Sequence, residues 1–135
     1  MKKHLLMLAL ASTCFMATQA GAMTKDEYKV AKEKIEADYK ADKAQCDAMK
    51  DNAKDVCQKE AKGKENVAKA ELEQQYKPSD AHARKVAEEK VKANYEVAKE
   101  KCDDQAGDAK AACVKQAKAD ESQGKADIKA MKKSM

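Results

Sequence analysis

Apolar and polar residues alternate along this chain with the period of an α-helix. One mostly apolar stripe recurs every three or four residues, at Tyr28, Ala31, Ile35, Tyr39, Asp42, Cys46 and Met49. A second stripe has the same spacing, at Arg84, Ala87, Val91, Tyr95, Ala98, Cys102 and Gln105. Residues at these spacings share one helix face. The pattern therefore predicts amphipathic helices, with a cysteine on the packed face of each stripe.

The two stripes belong to an internal duplication. Residues 29–39 match residues 85–95 without a gap, an offset of 56 residues. At the same offset the cysteines align, Cys46 with Cys102 and Cys57 with Cys113. A repeat of this length is usually one supersecondary unit. We therefore expect each copy to fold in the same way.

Turn-forming residues divide each copy into two helices. Asn52 and Asp108 stand at equivalent points and are suited to be helix N-caps, and Gly107 is suited to end a helix. Pro78 separates the copies, and Ser79 offers a further N-cap. The pattern predicts four helices, near residues 25–50, 53–76, 80–106 and 109–132.

The predicted fold is all-α, with two helical hairpins in tandem. The first hairpin covers residues 23–77, the linker residues 78–80 and the second hairpin residues 81–135. The hairpins either pack together as an antiparallel four-helix bundle or stay apart as an extended rod hinged near Pro78. The sequence leaves both arrangements open.

Residues 1–22 have the three parts of an export signal. Lys2 and Lys3 precede a short apolar run, and small residues then offer cleavage after Ala22 or, as second choice, after Ala20. The apolar run is too short to span a membrane, which takes about 20 residues. We expect a periplasmic protein with its leader removed. Lipidation at Cys14 is the competing interpretation. It fits less well, because Ala11 and Thr13 are not the residues usual before the cysteine of a lipoprotein signal.

Four cysteines remain after the leader, and they allow three pairings. On one continuous helix Cys46 and Cys57 would lie about 16 Å apart, too far for a disulfide. Across a hairpin, facing Cα atoms approach to about 3–5 Å. The sequence therefore predicts two disulfides within the hairpins, Cys46–Cys57 and Cys102–Cys113. Each would stabilise the fold by about 3 kcal/mol in the chain-entropy estimate.

Composition explains why such cross-links are needed. The chain has no Trp and one Phe, Phe15, which leaves with the leader. Large aliphatic residues are sparse, so the core is thin and small domains of this kind need covalent support. Favourable pairs such as Glu65–Lys69 and Glu121–Lys125 lie on charge-rich faces that we interpret as solvated surface.

Charge and motif content argue against several functions. Loss of Lys2 and Lys3 takes the formal net charge from +4 to +2, and the remaining charges are mixed along the chain. This disfavours a nucleic-acid interface, which needs a clustered basic face. His82 is the single histidine after the leader, expected to be exposed, so a Cys/His zinc site would be incomplete. We find no catalytic motif, and we expect no enzyme activity, cofactor, metal or stable membrane span.

Residues 46–62 carry the motif Cys-Asp-Ala-Met-Lys-Asp-Asn-Ala-Lys-Asp-Val-Cys-Gln-Lys-Glu-Ala-Lys. This motif resembles that of a group of small exported proteins of Gram-negative bacteria, with Cys-Asp-x-Leu-x-Gly-Asn-Ala-Lys-Asp-Val-Cys, usually twice. They are often labelled hypothetical, or "cell envelope biogenesis protein TolA". The chain departs from the pattern at Asp51, where Gly is usual, and at residues 108–113. The resemblance implies an exported helical envelope protein and assigns no activity.

The expected function is therefore a non-catalytic structural or interaction role in the periplasm or cell envelope. The alternative is a periplasmic chaperone or stress-protective binding protein. A metal-binding or thiol-redox protein is a third interpretation, less favoured than these two. The partner is an unidentified envelope protein, and self-association is left open by the sequence.

Overall fold

The computed structural model describes residues 22–134 as four α-helices. Their bounds are α1 Lys25–Asp47, α2 Asp51–Tyr76, α3 Asp80–Cys102 and α4 Gly107–Ser134. The all-α prediction is confirmed. Nearly all of the predicted leader, with Cys14 and Phe15, lies outside the described residues, so export and lipidation stay predictions.

Side-chain caps begin two of the helices. Ser79 caps α3 as predicted, and its hydroxyl accepts a hydrogen bond from the backbone of His82 at 3.0 Å. Thr24 and Glu27 form a capping box at the start of α1. The Thr-x-x-Glu spacing of that box is a recognised helix-start signal. The apolar stripe, on which the helix bounds were predicted, did not predict it.

The predicted ends of α1 and α3 were too late. α1 ends at Asp47 and α3 at Cys102, not near 50 and 106. A short turn follows Cys46 and another follows Cys102. In the first the Met49 amide donates to the Cys46 carbonyl, and in the second the Gln105 amide donates to the Cys102 carbonyl, both at 3.0 Å. Met49 therefore leaves the stripe and is 45% exposed.

The four helices pack antiparallel in the order of the sequence. α1 packs on α2, α2 on α3 and α3 on α4. Because α2 lies along α3, the two hairpins do not form the extended rod. Among residues 22–134, no Cα atom of α1 lies within 8 Å of one in α4. The antiparallel assembly is therefore open, and α1 and α4 form its two edges.

Helix α2 shows why the assembly is open. Ala61 lines a small cavity with Ile35 and Tyr39 of α1, whereas Gly63 lies against Ala93 of α3. At 3.6 residues per turn, positions two apart point about 200° away from each other. The neighbours of α2 thus lie on opposite sides, which gives a layer of helices.

The core is thin and follows the duplication. Seven apolar residues are buried within residues 22–134, and six form three repeat-equivalent pairs: Cys46 with Cys102, Ala61 with Ala117, and Leu72 with Ile128. The seventh, Ala70, lies by the groove between α2 and α3. The largest fully buried side chains are Cys46 and Cys102. One cysteine of each disulfide is thus part of its hairpin's core, while its partner, Cys57 or Cys113, is half-buried.

Close approach between helices depends on glycine at the α2–α3 contact. A Cβ atom added to Gly63 would lie 2.7 Å from the Cβ of Ala93, closer than such atoms approach in proteins. Gly124 has the same role between α3 and α4, where an added Cβ would lie 2.6 Å from Val91 Cγ2. Small residues therefore set the helix spacing, since there are few large ones to fill a wider gap.

Candidate functional site

Both predicted disulfides are present. The Cα atoms of Cys46 and Cys57 lie 5.3 Å apart, and those of Cys102 and Cys113 lie 5.6 Å apart. Both distances are within the range that disulfides adopt. The first cysteine of each pair is at most 1% exposed, so its sulfur is shielded from exchange with other thiols.

The turn between the helices has the same backbone conformation in both hairpins. Asp51 has φ 51° and Gly107, its repeat equivalent, has φ 57°. This left-handed conformation is free of steric cost for glycine and unfavourable for other residues, although Asp tolerates it better than most. Of the two residues that the duplication places at this turn, Gly107 is therefore the one that suits the backbone conformation better.

The predicted capping roles of Asn52 and Asp108 were wrong. The N-cap of α2 is Lys50, without a side-chain hydrogen bond, and Asp108 lies in the first turn of α4. The Asn52 amide instead donates to the carbonyl of Glu100 at 2.9 Å. It therefore satisfies a carbonyl at the end of α3, and it joins the two hairpins.

An ion pair closes each hairpin beside its disulfide. Lys54 lies 3.5 Å from Asp47, and their repeat equivalents Lys110 and Asp103 lie 2.8 Å apart. The hydrogen bond from Lys110 lowers the pKa of Asp103. The duplication therefore reproduces the ion pair together with the cross-link.

Glu65 is the buried charge of the first hairpin. Its side chain is 6% exposed and binds both Lys62 at 2.8 Å and Lys69 at 2.7 Å. Burial acts to raise the pKa of this carboxyl, but the two lysine hydrogen bonds outweigh it, so the pKa lies below the ordinary value of 4.5. The Glu65–Lys69 pair forms as expected, but Glu65 is not the solvated surface residue that we predicted.

Tyrosines thicken the first hairpin. The rings of Tyr28 and Tyr76 lie 4.5 Å apart between centroids. The Tyr28 hydroxyl donates to Glu73, and this bond raises the pKa of Tyr28. The ammonium of Lys62 lies 5.1 Å from the ring centre of Tyr39. These contacts join α1 to α2, and the three tyrosines that make them are half-buried.

A shallow groove runs between α2 and α3. Its volume is about 760 Å³, and its apolar floor is made by Val67, Ala68, Ala93, Val97 and Ala98. We call it the Val67–Val97 groove after two of these residues. Two ion pairs join its walls, Lys90 to Glu71 at 2.7 Å and Lys101 to Glu60 at 3.0 Å. An apolar floor with charged walls can hold an amphipathic segment.

The opposite side of the α2–α3 pair is more polar. A second groove of about 440 Å³ is lined there by Asn66, Lys69, Glu73, Lys85 and Glu89, together with His82. His82 is half-buried rather than exposed as predicted, since its ring nitrogen Nδ1 lies 2.6 Å from the carbonyl oxygen of Lys77. This contact fixes the imidazole at the linker.

The sequence predicted both cysteine pairs but not the groove between α2 and α3. The disulfide partners lie 11 residues apart, so the hairpin alone brings them together. The groove needs α2 beside α3, which the periodicity of either helix could not show. Within residues 22–134, no three side chains of His, Cys, Asp and Glu are grouped to hold a metal ion. None of the described helices is long and apolar enough to cross a membrane.

The described surface therefore offers a groove and two free helix edges on a cross-linked scaffold. The resemblance to exported envelope proteins stays a prediction that rests on the motif at residues 46–62. In comparisons with known proteins, no protein-family model, no curated protein and no solved structure matches this chain.

Proposed function

We propose that this chain is a non-catalytic helical protein of the periplasm or cell envelope, with a structural or interaction role. The observation that carries the proposal is the open, disulfide-linked layer of helices. Such a layer offers both faces and both edge helices to partners, while the two cross-links keep it folded with a thin core.

Two features support an extracytoplasmic location. Disulfides persist in oxidising compartments such as the periplasm, and each hairpin has one, with its first cysteine, Cys46 or Cys102, buried. The capping box that starts α1 is at Thr24, two residues after the favoured cleavage site at Ala22. Cleavage there leaves the capped helix intact.

The location is tested by cell fractionation together with N-terminal sequencing of the protein made in a Gram-negative host. We expect the periplasmic fraction to contain a chain that begins at Met23, or at Gly21 for the second site. A chain that keeps Met1 and stays in the cytoplasm would refute the proposed location.

The interaction role is tested by affinity capture from envelope extract with the disulfides intact. We expect a partner retained at a fixed ratio and lost when the bait has been reduced and alkylated. A matched control bait carries Ala111→Glu, a change at an exposed position of α4. If neither the intact chain nor the control retains a partner, an interaction with another envelope protein is rejected.

The Val67–Val97 groove favours one alternative, a periplasmic chaperone or stress-protective binder. Its apolar floor could take up exposed apolar segments of an unfolding client. A chaperone should suppress client aggregation at a near-stoichiometric ratio, and Val67→Lys should abolish the effect while Ala111→Lys preserves it. Absence of suppression by the unmodified chain excludes the alternative.

A further inference from the structure

The α2–α3 contact joins one repeat to the next. On α2 Gly63 meets Ala93 of α3, and Val56 and Ala70, seven residues before and after Gly63, lie in line with it on the same helix face and are half-buried and buried, respectively. On α3 the facing line is Val86, Ala93 and Glu100, of which Ala93 meets Gly63 and the Glu100 carbonyl accepts from Asn52. Residues seven apart stand two turns along the same helix face.

The duplication places the same two lines on the edge helices, where nothing covers them among residues 22–134. The equivalents of the α2 line are Ala112, Ala119 and Ala126, which we call the α4 edge. The equivalents of the α3 line are Val30, Ala37 and Ala44, which we call the α1 edge. All six residues are exposed, and Val30, at 65% exposure, is the most exposed large apolar residue described.

The polar residues that flank the contact are also partly repeated. Lys90 and Glu71 bind each other across the α2–α3 contact at 2.7 Å. Their equivalents are Lys34 on α1 and Asp127 on α4, again of opposite charge. Lys101 and Glu60, which form the second ion pair, are replaced by Gln45 and Gln116, which can hydrogen-bond to each other.

We propose that copies of this chain associate head to tail, with the α4 edge of one copy docked on the α1 edge of the next, as α2 docks on α3 within the chain. The contact joins two different surfaces, so it is heterologous and continues the layer of helices without closing it. The inference rests on the interaction role proposed above and names a second copy as the partner.

Two substitutions weaken this contact relative to the internal one. Ala119 stands where α2 has Gly63, so its methyl group holds the neighbouring helix farther away than Ala93 is held from Gly63. Asp108 stands where α2 has Asn52, and an ionised carboxylate cannot donate the hydrogen bond to a carbonyl. Association should therefore be reversible and visible only at high protein concentration.

Sedimentation equilibrium of the purified, oxidised chain tests the proposal, from about 1 μM to about 1 mM, the range of weak contacts. We expect the mean mass to rise with concentration past that of a dimer. Ala37→Glu and Ala126→Glu, each of which removes one edge, should stay monomeric alone and form dimers only when mixed. Ala111→Glu, an equal charge change away from both edges, should associate like the unmodified chain.

A second variant tests the register of the contact. Asp108→Asn with Ala119→Gly restores the two residues that α2 uses, so it should tighten association by at least about tenfold. The proposal is overturned if the unmodified chain and this double variant stay monomeric, or if one single-edge variant dimerises by itself. Capture of an envelope partner is measured separately, so failure of self-association leaves the interaction role standing on its own test.

Discussion

At the scale of single residues, the two turn positions show how one backbone conformation selects its side chain. Asp51 and Gly107 have left-handed φ angles within a few degrees of each other. Glycine adopts this conformation without steric cost, whereas another residue loses about 1–2 kcal/mol, less for Asp. The duplication thus provides the same turn twice, once relaxed and once strained.

Replacing Asp51 with Gly should raise the free energy of unfolding by about 1 kcal/mol, because the strain at φ 51° is removed. The measurement is urea unfolding with both disulfides intact. The reciprocal change Gly107→Asp is the control and should lower the free energy by a similar amount. If neither variant differs in stability from the unmodified chain, the positive φ angle does not strain Asp51.

Glu65 should make the stability of the chain depend on acid pH. Its pKa is lower in the folded protein than the ordinary 4.5. The stabilisation is therefore complete above pH 4.5 and is lost as the pH falls below that value toward the folded-state pKa. Unfolding measured at a series of acid pH values should show a steeper loss in the unmodified chain than in Glu65→Gln.

An exposed carboxylate provides the control for this measurement. Glu33→Gln alters a residue on the solvent side of α1, so its acid profile should follow that of the unmodified chain. A Glu65→Gln profile that also follows the unmodified chain would show that the Lys62 and Lys69 contacts add no pH-dependent stability.

At the scale of the elements, small residues decide how closely the helices pack. Ile35 faces Ala68 across the first hairpin, and Val91 faces Gly124 at the equivalent place in the second. A large side chain opposite a small one lets helices interlock without voids. Gly63 applies the same rule between the hairpins, where α3 is the neighbour.

Gly63→Val should lower the free energy of unfolding by about 1–3 kcal/mol, since overpacking forces α2 and α3 apart. The equivalent change Ala119→Val lies on an exposed face of α4 and should change stability by no more than about 0.5 kcal/mol. Thermal unfolding at low micromolar concentration compares the two. Because Val has a higher helix propensity than Gly, propensity alone would stabilise Gly63→Val. A Gly63→Val variant as stable as the unmodified chain, or more stable, would therefore contradict the packing account.

At the scale of the whole molecule, covalent bonds do what a large apolar core does elsewhere. Among residues 22–134 the most buried apolar side chains are Cys46 and Cys102, and the other five buried apolar residues are three alanines, Leu72 and Ile128. Two short disulfide loops together contribute about 6 kcal/mol. That is comparable to the whole stability of an ordinary domain, about 5–15 kcal/mol.

Reduction of both disulfides should therefore unfold most of the chain at room temperature. Far-ultraviolet circular dichroism in the presence and absence of a thiol reductant measures the loss of helix. The variant with Cys46→Ser and Cys57→Ser is the matched intermediate and should lose about half of the stabilisation. A reduced chain that melts at the same temperature as the oxidised one would contradict this account.

The amino-acid sequence by itself determined the four helices, the duplication and the cysteine pairing. The helices and the cysteine pairing depend on residues close in the chain. Residues on one helix face recur every three or four positions, and the disulfide partners stand 11 residues apart, on either side of the turn that joins two helices. The tertiary structure alone decided that the layer is open, that Glu65 is buried and that Asn52 binds Glu100, 48 residues away. These features depend on which helix becomes the neighbour of which, and that choice is made by packing between distant segments.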